Sequence, residues 1–405
     1  MKQILIFSFL FLIIDIYAYQ SIKTAYKDSS YKSIIAYAYF GFTAFTLLFM
    51  LLSAVNDFRH HGNIITKYTF GLIFSVFIVK LLIVIFLLLE DFLRLGKVGV
   101  QMYHGENLGI SRSEFFNKIL LGAASLPLMA FIYGMMRSAY NYQIKIIKIP
   151  IKDLPLEFEG LKIVQLSDIH SGSFTRVEPL IEAVKTINTL DADIFVFTGD
   201  LVNDYAYEVE PYIPIFKEIK SKLGNFSVTG NHDYADYVQW ENKEDKIENF
   251  RIFKKQHEKL GWKLLMNESV RITKGNAHIE IIGIENWGHN LRFKKYGKMN
   301  EAMAETHKDS IKVLLSHDPS HWDGEVRIKY PEIHLTLSGH THGFQFGVET
   351  KYFKFSPSQW VYKQWAGLYQ KDHQMLYVNR GFGFIGFPGR VGILPEITLF
   401  ELTKA

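Results

Sequence analysis

Five short polar motifs in the second half of the chain constrain its fold more than any other feature. They are Asp168-Ile169-His170, Gly199-Asp200, Gly230-Asn231-His232-Asp233, Ser316-His317-Asp318 and Gly339-His340-Thr341-His342. Each adjoins a short apolar run that reads as a buried strand. Polar groups at the ends of buried strands face one crevice when the strands lie side by side in an α/β layer. Seven of the side chains, Asp168, His170, Asp200, Asn231, His317, His340 and His342, are oxygen or imidazole donors. That is about the complement needed to hold two divalent ions side by side.

The spacing supports this reading. Asp168 and His170, like His340 and His342, stand two apart, so in extended chain they share a face. Glycines precede Asp200, Asn231 and His340 and permit tight turns at strand ends. Each motif alone is weak; the order of the five carries the specificity. The chain has no cysteine, which excludes thiolate ligands, cysteine nucleophiles and disulfides. Imidazole, carboxylate and amide ligands suit Mn, Fe or Zn. A pair of such ions would neutralise phosphate oxygens, orient an ester and generate hydroxide from bound water. Net charge is only +4, and no dense Lys/Arg run occurs, so no nucleic-acid scaffold is expected.

The first 137 residues are of another kind. Apolar stretches run over 4–19, 34–55, 68–89 and 119–136. A helix of about 20 apolar residues crosses a bilayer. The middle two are clear spans. The first carries Asp15, and an uncleaved span is favoured there over a signal peptide; the fourth carries Pro127. Asp15 and Lys80 lie inside apolar spans, where they would snorkel, pair to lock the bundle, or mark a functional site. Short-loop basic residues are almost evenly split between the two sides. Ser111-Arg-Ser-Glu-Phe-Phe116 is similar to an export signal with one of its twin arginines missing, which tilts the catalytic domain to the extracytoplasmic side.

The chain thus divides into a membrane domain over 1–137 with about four transmembrane helices, a linker over 138–150 and a soluble domain over 151–405. In the last, 161–166, 194–198 and 226–229 read as strands, and 177–190, 210–223 and 243–260 as helices. Residues 263–266, 270–273 and 279–284 read as strands of a second sheet. Further strands are expected at 311–315, 333–337, 375–379 and 396–401. Strands alternating with helices argue for an α/β layer.

The ordered series resembles the calcineurin-like metallophosphoesterases, over about residues 160–402. Trp365-Ala-Gly-Leu-Tyr369, Tyr377-Val-Asn-Arg-Gly381 and Pro395-Glu-Ile-Thr398 are similar to the membrane-associated branch of that family, known as predicted phosphohydrolases. The resemblance implies an N-terminal α-helical transmembrane bundle plus a four-layer α/β/β/α metallophosphoesterase sandwich. It implies that Asp168, His170 and His342 hold one ion, that Asn231, His317 and His340 hold the other, and that Asp200 bridges. It gives His232 the role of contacting the scissile phosphate and assisting the leaving group, with Asp233 orienting it or standing behind the ligands. One departure is Phe344, where a second glycine is expected before Gln345; it puts the shape of the substrate mouth in question.

The expected function is a membrane-anchored phosphohydrolase with two divalent ions, using metal-bound hydroxide on a phosphoester or pyrophosphate. The lipid bilayer is the expected partner, with a phosphoester substrate for which lipid linkage is one option. A UDP-diacylglucosamine pyrophosphatase-like hydrolase of lipid precursors is one alternative; a non-catalytic membrane sensor or binding module is another. Arg380, Arg390 and His289 are candidate substrate contacts, with loop bracing as the plainer reading of the arginines. The Gly-Phe-rich run 381–389 is no phosphate loop, since no lysine follows it.

Overall fold

The computed structural model describes residues 2–56, 63–104, 111–289 and 293–405; Arg59, His60 and His61 lie outside the described residues. The chain falls into two compact units, Met1–Met136 and Arg137–Ala405.

The first unit is helical: α1 (Lys2–Ala25), α2 (Lys32–Asn56), α3 (Ile64–Tyr103) and α4 (Glu114–Met136). Among the described residues, three segments are long and apolar enough to cross a membrane: Lys32–Ser53, Ile64–Gln101 and Glu114–Met136. Pro127 lies inside α4. Asp15 of α1 forms an ion pair with Lys80 of α3. Thr43 of α2 donates to the same carboxylate, and the Tyr39 hydroxyl donates to the Asp15 carbonyl at 2.8 Å. Asp15 and Lys80 are both buried. The two charges therefore neutralise each other and, with Thr43 and Tyr39, tie three helices together. Losing one partner of such a pair costs about 3–5 kcal/mol, because the other is left buried and uncompensated.

The second unit is built on two six-stranded sheets. The first contains β1 (Gln143–Ile151), β2 (Lys162–Leu166), β3 (Ile194–Thr198), β4 (Gly224–Val228), β5 (Lys263–Leu264) and β14 (Glu396–Lys404), in the order β1-β14-β2-β3-β4-β5. The second contains β6 (Glu268–Lys274), β7 (Ala277–Gly283), β8 (Ile311–Leu315), β9 (Leu335–Ser338), β12 (Gly367–Lys371) and β13 (Gln374–Val378), in the order β12-β13-β9-β8-β7-β6. A short hairpin, β10 (Val348–Glu349) with β11 (Lys354–Phe355), stands apart from both. β2, β3 and β4 run parallel, as do β7, β8 and β9.

Alternation along the strands makes the layers. Ile163, Ile194, Val196, Phe226 and Phe400 of the first sheet share a core with Ile281, Val313, Leu315, Leu337 and Tyr377 of the second. Their neighbours Val164, Leu166, Phe195 and Phe197 point the other way. They pack with α5 (Glu178–Thr189) and with Phe253 and Leu260 of α6 (Lys243–Leu260). On the far side Ile282, Leu314, Leu376 and Val378 pack with Met299, Trp322 and Val326 from helical segments. Strands covered on both faces are apolar throughout, which is why they read as continuous runs. The result is the expected α/β/β/α sandwich.

Three expectations are corrected. Residues 138–150 are no linker: most of them form β1, paired in parallel with β14 along its whole length. The helix expected over 210–223 is a 3₁₀ turn, Ala206–Tyr212, followed by one α-turn, Ile213–Phe216. Pro211 and Pro214 each remove a backbone donor there and prevent a longer helix. The strand expected at 263–266 pairs with β4 and so closes the edge of the first sheet, not the second.

Candidate metal centre

The ends of five strands deliver the polar groups. Asp168 and His170 follow β2, Asp200 follows β3, and Asn231, His232 and Asp233 follow β4. His317 follows β8, and His340 and His342 follow β9. Where the two sheets meet beneath them, the Gln165 amide donates to Ser338 O at 3.0 Å and Thr198 Oγ1 at 2.9 Å. The chain turns sharply at each strand end. Asp168, His170, Asp200, His340 and His342 have φ of 52°, 46°, 60°, 72° and 50°, a left-handed region that residues with a Cβ seldom occupy. Such strain persists only where surrounding structure enforces it, and it clusters at functional sites. Gly339 shows the enforcement: a Cβ there would stand 1.9 Å from Ser167 Oγ and 2.2 Å from Asp168 Oδ2.

The donors form two adjoining sets, Asp168–His170–His342 and Asp200–His317–His340, and within each set the donor atoms lie within 4.8 Å of one another. In the first, His170 Nε2 is 3.1 Å from His342 Nε2, and His342 Nε2 is 3.2 Å from Asp168 Oδ1. In the second, His317 Nε2 is 3.1 Å from Asp200 Oδ2 and 3.2 Å from His340 Nδ1. Asp200 Oδ2 is also 3.5 Å from His170 Nε2, so its carboxylate reaches both sets.

Several details fit these residues to divalent cations. In each set two ring nitrogens close to hydrogen-bond distance beside a carboxylate oxygen. Two neutral imidazole lone pairs repel at that separation unless a proton or a cation lies between them. The Asn231 amide nitrogen donates to the Tyr237 hydroxyl at 2.9 Å, which leaves Asn231 Oδ1 buried with no hydrogen-bond partner. A buried unpaired carbonyl is costly unless something electropositive meets it. Burial would raise the Asp200 carboxyl, but His317 and His232 outweigh it and hold it well below the usual carboxylate range. Burial would lower His317, and Asp200 reverses that to push it up to about 10. The two shifts report one fact: Asp200 and His317 are strongly paired, each favouring the charged form of the other.

The remaining predicted residues divide. His232 stands at the edge of the crevice, half-buried, its ring 5.0 Å from that of His170. Its Nδ1 donates to the Asn203 carbonyl at 2.7 Å, and its own backbone N–H donates to Asp200 Oδ1 at 2.9 Å. Asp233 does not orient His232. Its carboxylate accepts from the N–H groups of Asp200, Leu201, Val202 and Gly230, so it pins the two backbone turns instead. Burial and the Asp200 charge push Asp233 up to about 8.

None of the three candidate substrate contacts joins the crevice as a free donor. Arg380 is spent on Glu349, which it grips with Nε and Nη2, and on Glu396. Arg390 is fully buried; it donates to the carbonyls of Gly381 and Gly383 and backs His342, with Nη2 3.2 Å from Nδ1. His289 is exposed, and its backbone N–H donates to Ser320 Oγ. The arginines brace the Gly-rich run because a guanidinium fork matches converging carbonyls as well as it matches phosphate.

Sequence reasoning missed Tyr362, Tyr237 and Phe293. The Tyr362 hydroxyl lies 2.6 Å from His340 Nε2, and the Phe293 ring meets His340 edge-on at 5.1 Å. Tyr237 leans on His232 at 4.8 Å between centroids. All three lie in loops, where no periodicity marks them.

Comparison with known proteins agrees with this geometry. A family described as "Probable Calcineurin-like phosphoesterase, transmembrane domain" matches residues 1–139, and "Calcineurin-like phosphoesterase" matches residues 161–344. A bovine (Bos taurus) "Transmembrane protein with metallophosphoesterase domain" is 30% identical over 68% of this chain and 60% of its own length. This chain therefore spans only six-tenths of that relative. The zebrafish (Danio rerio) protein of the same description is 29% identical over 77% of this chain and 68% of its own. An "Uncharacterized metallophosphoesterase" of Helicobacter pylori is 24% identical over 96% of both chains. With both domain families matched in order, and with the motifs meeting in one crevice, the chain belongs to the membrane-associated branch of the calcineurin-like metallophosphoesterases.

Proposed function

We propose that the protein is a membrane-anchored phosphohydrolase working with two divalent cations. The observation that supports this best is the pair of donor sets joined by Asp200. Asp168, His170 and His342 would hold one ion, Asn231, His317 and His340 the other, and Asp200 would touch both. When bound, Mn, Fe or Zn ions would neutralise phosphate oxygens and make water more acidic.

The chain's own groups do the rest. The Asn203 carbonyl accepts a hydrogen bond from His232 Nδ1–H, so the proton that His232 gains or loses is the one on Nε2. That atom suits a donor to a leaving oxygen, the work of a general acid. Asp233 fixes the backbone turns so that Asp200 and His232 keep their mutual distance. A tether to the bilayer favours a phosphoester or pyrophosphate in or near the membrane, with a lipid-linked precursor as the leading class.

The test is a hydrolysis screen of purified full-length protein with Mn²⁺, over bis-aryl phosphates, lipid phosphates and nucleotide–sugar lipids. Turnover should depend on added metal and vanish in Asp200→Asn. Absence of turnover on every substrate, with metal demonstrably bound, would point to the binding-module alternative.

A further inference from the structure

The second unit shows its exposed large apolar side chains unevenly. Phe344, Phe346, Val348, Tyr352, Phe353, Trp360 and Val361 are all exposed and all fall within residues 344–361. Tyr352 is 90% exposed and Trp360 75%. The β10–β11 hairpin, Val348–Phe355, carries three of the seven, Val348, Tyr352 and Phe353. Monomeric soluble surfaces seldom gather apolar side chains in this way unless something covers them.

Phe344 adds an independent observation. Its φ is 53°, and Gly343 and Gln345 on either side are also left-handed. A bulky residue in that region is strained, and glycine would relieve it. Phe344 is nevertheless 45% exposed, so interior packing does not repay the strain. An outlier of this kind is better explained by use than by stability.

We infer that residues 344–361 form a lipid-facing surface that rests in the interfacial layer of an anionic bilayer. The chemistry matches that layer. Tyr, Trp and Phe settle at the level of lipid headgroups, and lysines alongside favour anionic lipid. Lys351 is exposed here, as is Lys363 just beyond the segment and 3.9 Å from Asp323, while the acidic residue of the segment, Glu349, is taken by Arg380. A bilayer is also within reach, because this chain carries its own spans. Only six residues separate the end of α4 at Met136 from the start of β1 at Gln143, a tether of at most about 25 Å.

The segment is stitched to the metal-ligand turn at several points. Ser356 Oγ donates to Gly343 O, Thr341 Oγ1 donates to Trp365 O, and Tyr362 reaches His340. Lipid contact here would therefore place the crevice rim beside the headgroups.

The absence of cysteine makes the test clean. Full-length Tyr352→Cys and Trp360→Cys, each spin-labelled and reconstituted in nanodiscs with or without anionic phospholipid, report burial depth by collision with oxygen and with a water-soluble nickel complex. Ile247→Cys, exposed elsewhere on the second unit, is the reference. The oxygen-to-nickel ratio at 352 and 360 should exceed that at 247 several-fold, and more so with anionic lipid. Equal ratios at all three sites overturn the inference. Low collision with both reagents plus spin–spin broadening also overturns it, in favour of a second copy of this chain.

A check that needs no label uses brominated lipid. Trp360 is the one tryptophan among the exposed large apolar residues, so quenching should be strong in the natural protein and largely lost in Trp360→Phe. Neither measurement depends on catalysis, so failure here is distinguishable from failure of the hydrolase reading.

Discussion

His232 and Tyr362 both touch the donor cluster, yet they should fail in opposite ways. His232 is anchored through Nδ1 to a main-chain carbonyl and belongs to neither donor set. His232→Ala should keep its metal content and lose about 10²- to 10⁴-fold in kcat, the usual worth of a positioned acid. Metal analysis beside kinetics checks this; loss of metal in step with activity would make His232 a ligand instead. Tyr362 holds the far nitrogen of His340 and so fixes the ring whose Nδ1 faces His317. Tyr362→Phe should weaken metal binding by about tenfold or more, as removal of such a supporting hydrogen bond does elsewhere. Competition against a chelator reads that directly, and unchanged affinity would make the hydroxyl a bystander. The ligands themselves were legible in the sequence because ligand chemistry is a property of side-chain type. The partner of His232 was not, since a backbone carbonyl such as that of Asn203 leaves no mark on residue identity, and Asp233 was the nearer suspect.

Among elements, the turn after β9 is tightly constrained. Gly339 lies against Ser167 and Asp168 with no room for a methyl group. His340, one residue on, must bring its N–H to both oxygens of Asp168 at 3.0 Å. Gly339→Ala should therefore displace Asp168 and His340 together, one from each donor set. The expected outcome is loss of bound metal, with far-ultraviolet circular dichroism kept and about 1–3 kcal/mol of stability lost to overpacking; metal content and a denaturant midpoint measure the two parts. Strands such as β3 and β8 were legible because burial on both faces makes them apolar throughout. β1 was not, although its alternation of half-buried and exposed residues suits an edge strand. Its partner β14 lies some 250 residues away, and pairing at that separation is invisible to local pattern. The failed helix over 210–223 shows the converse, where Pro211 and Pro214 override apolar periodicity. Phe344 was noticed as a departure from the family pattern, but only its left-handed backbone shows what the departure costs.

At the scale of the molecule, two units of different chemistry can be followed separately. All six tryptophans, Trp240, Trp262, Trp287, Trp322, Trp360 and Trp365, lie in the second unit, so intrinsic fluorescence reports its unfolding and not that of the helical unit. Metal that binds only the folded crevice at about 100 times its Kd should add about 2.7 kcal/mol. In a unit of this size that raises the fluorescence-detected midpoint by about 5–10 °C, and a chelator should reverse it. No shift with Mn²⁺, Fe²⁺ or Zn²⁺ would leave the donor sets without their ions.

The same signal tests the acid limb of stability. His257 is fully buried in the layer outside the first sheet, bonded through Nδ1 to Ser227 Oγ, and burial pushes it down to about 3 from the usual 6.5. The unfolded chain therefore takes up a proton that the folded chain refuses, so stability falls as pH drops below about 6.5, and the fall ends only near pH 3. At pH 5 this one residue should cost about 2 kcal/mol relative to pH 7. His257→Gln is expected to lower stability at pH 7 through lost packing, yet to lose about 2 kcal/mol less between pH 7 and pH 5 than the natural chain does. An unchanged pH slope in that variant would mean that His257 is protonated in the folded core.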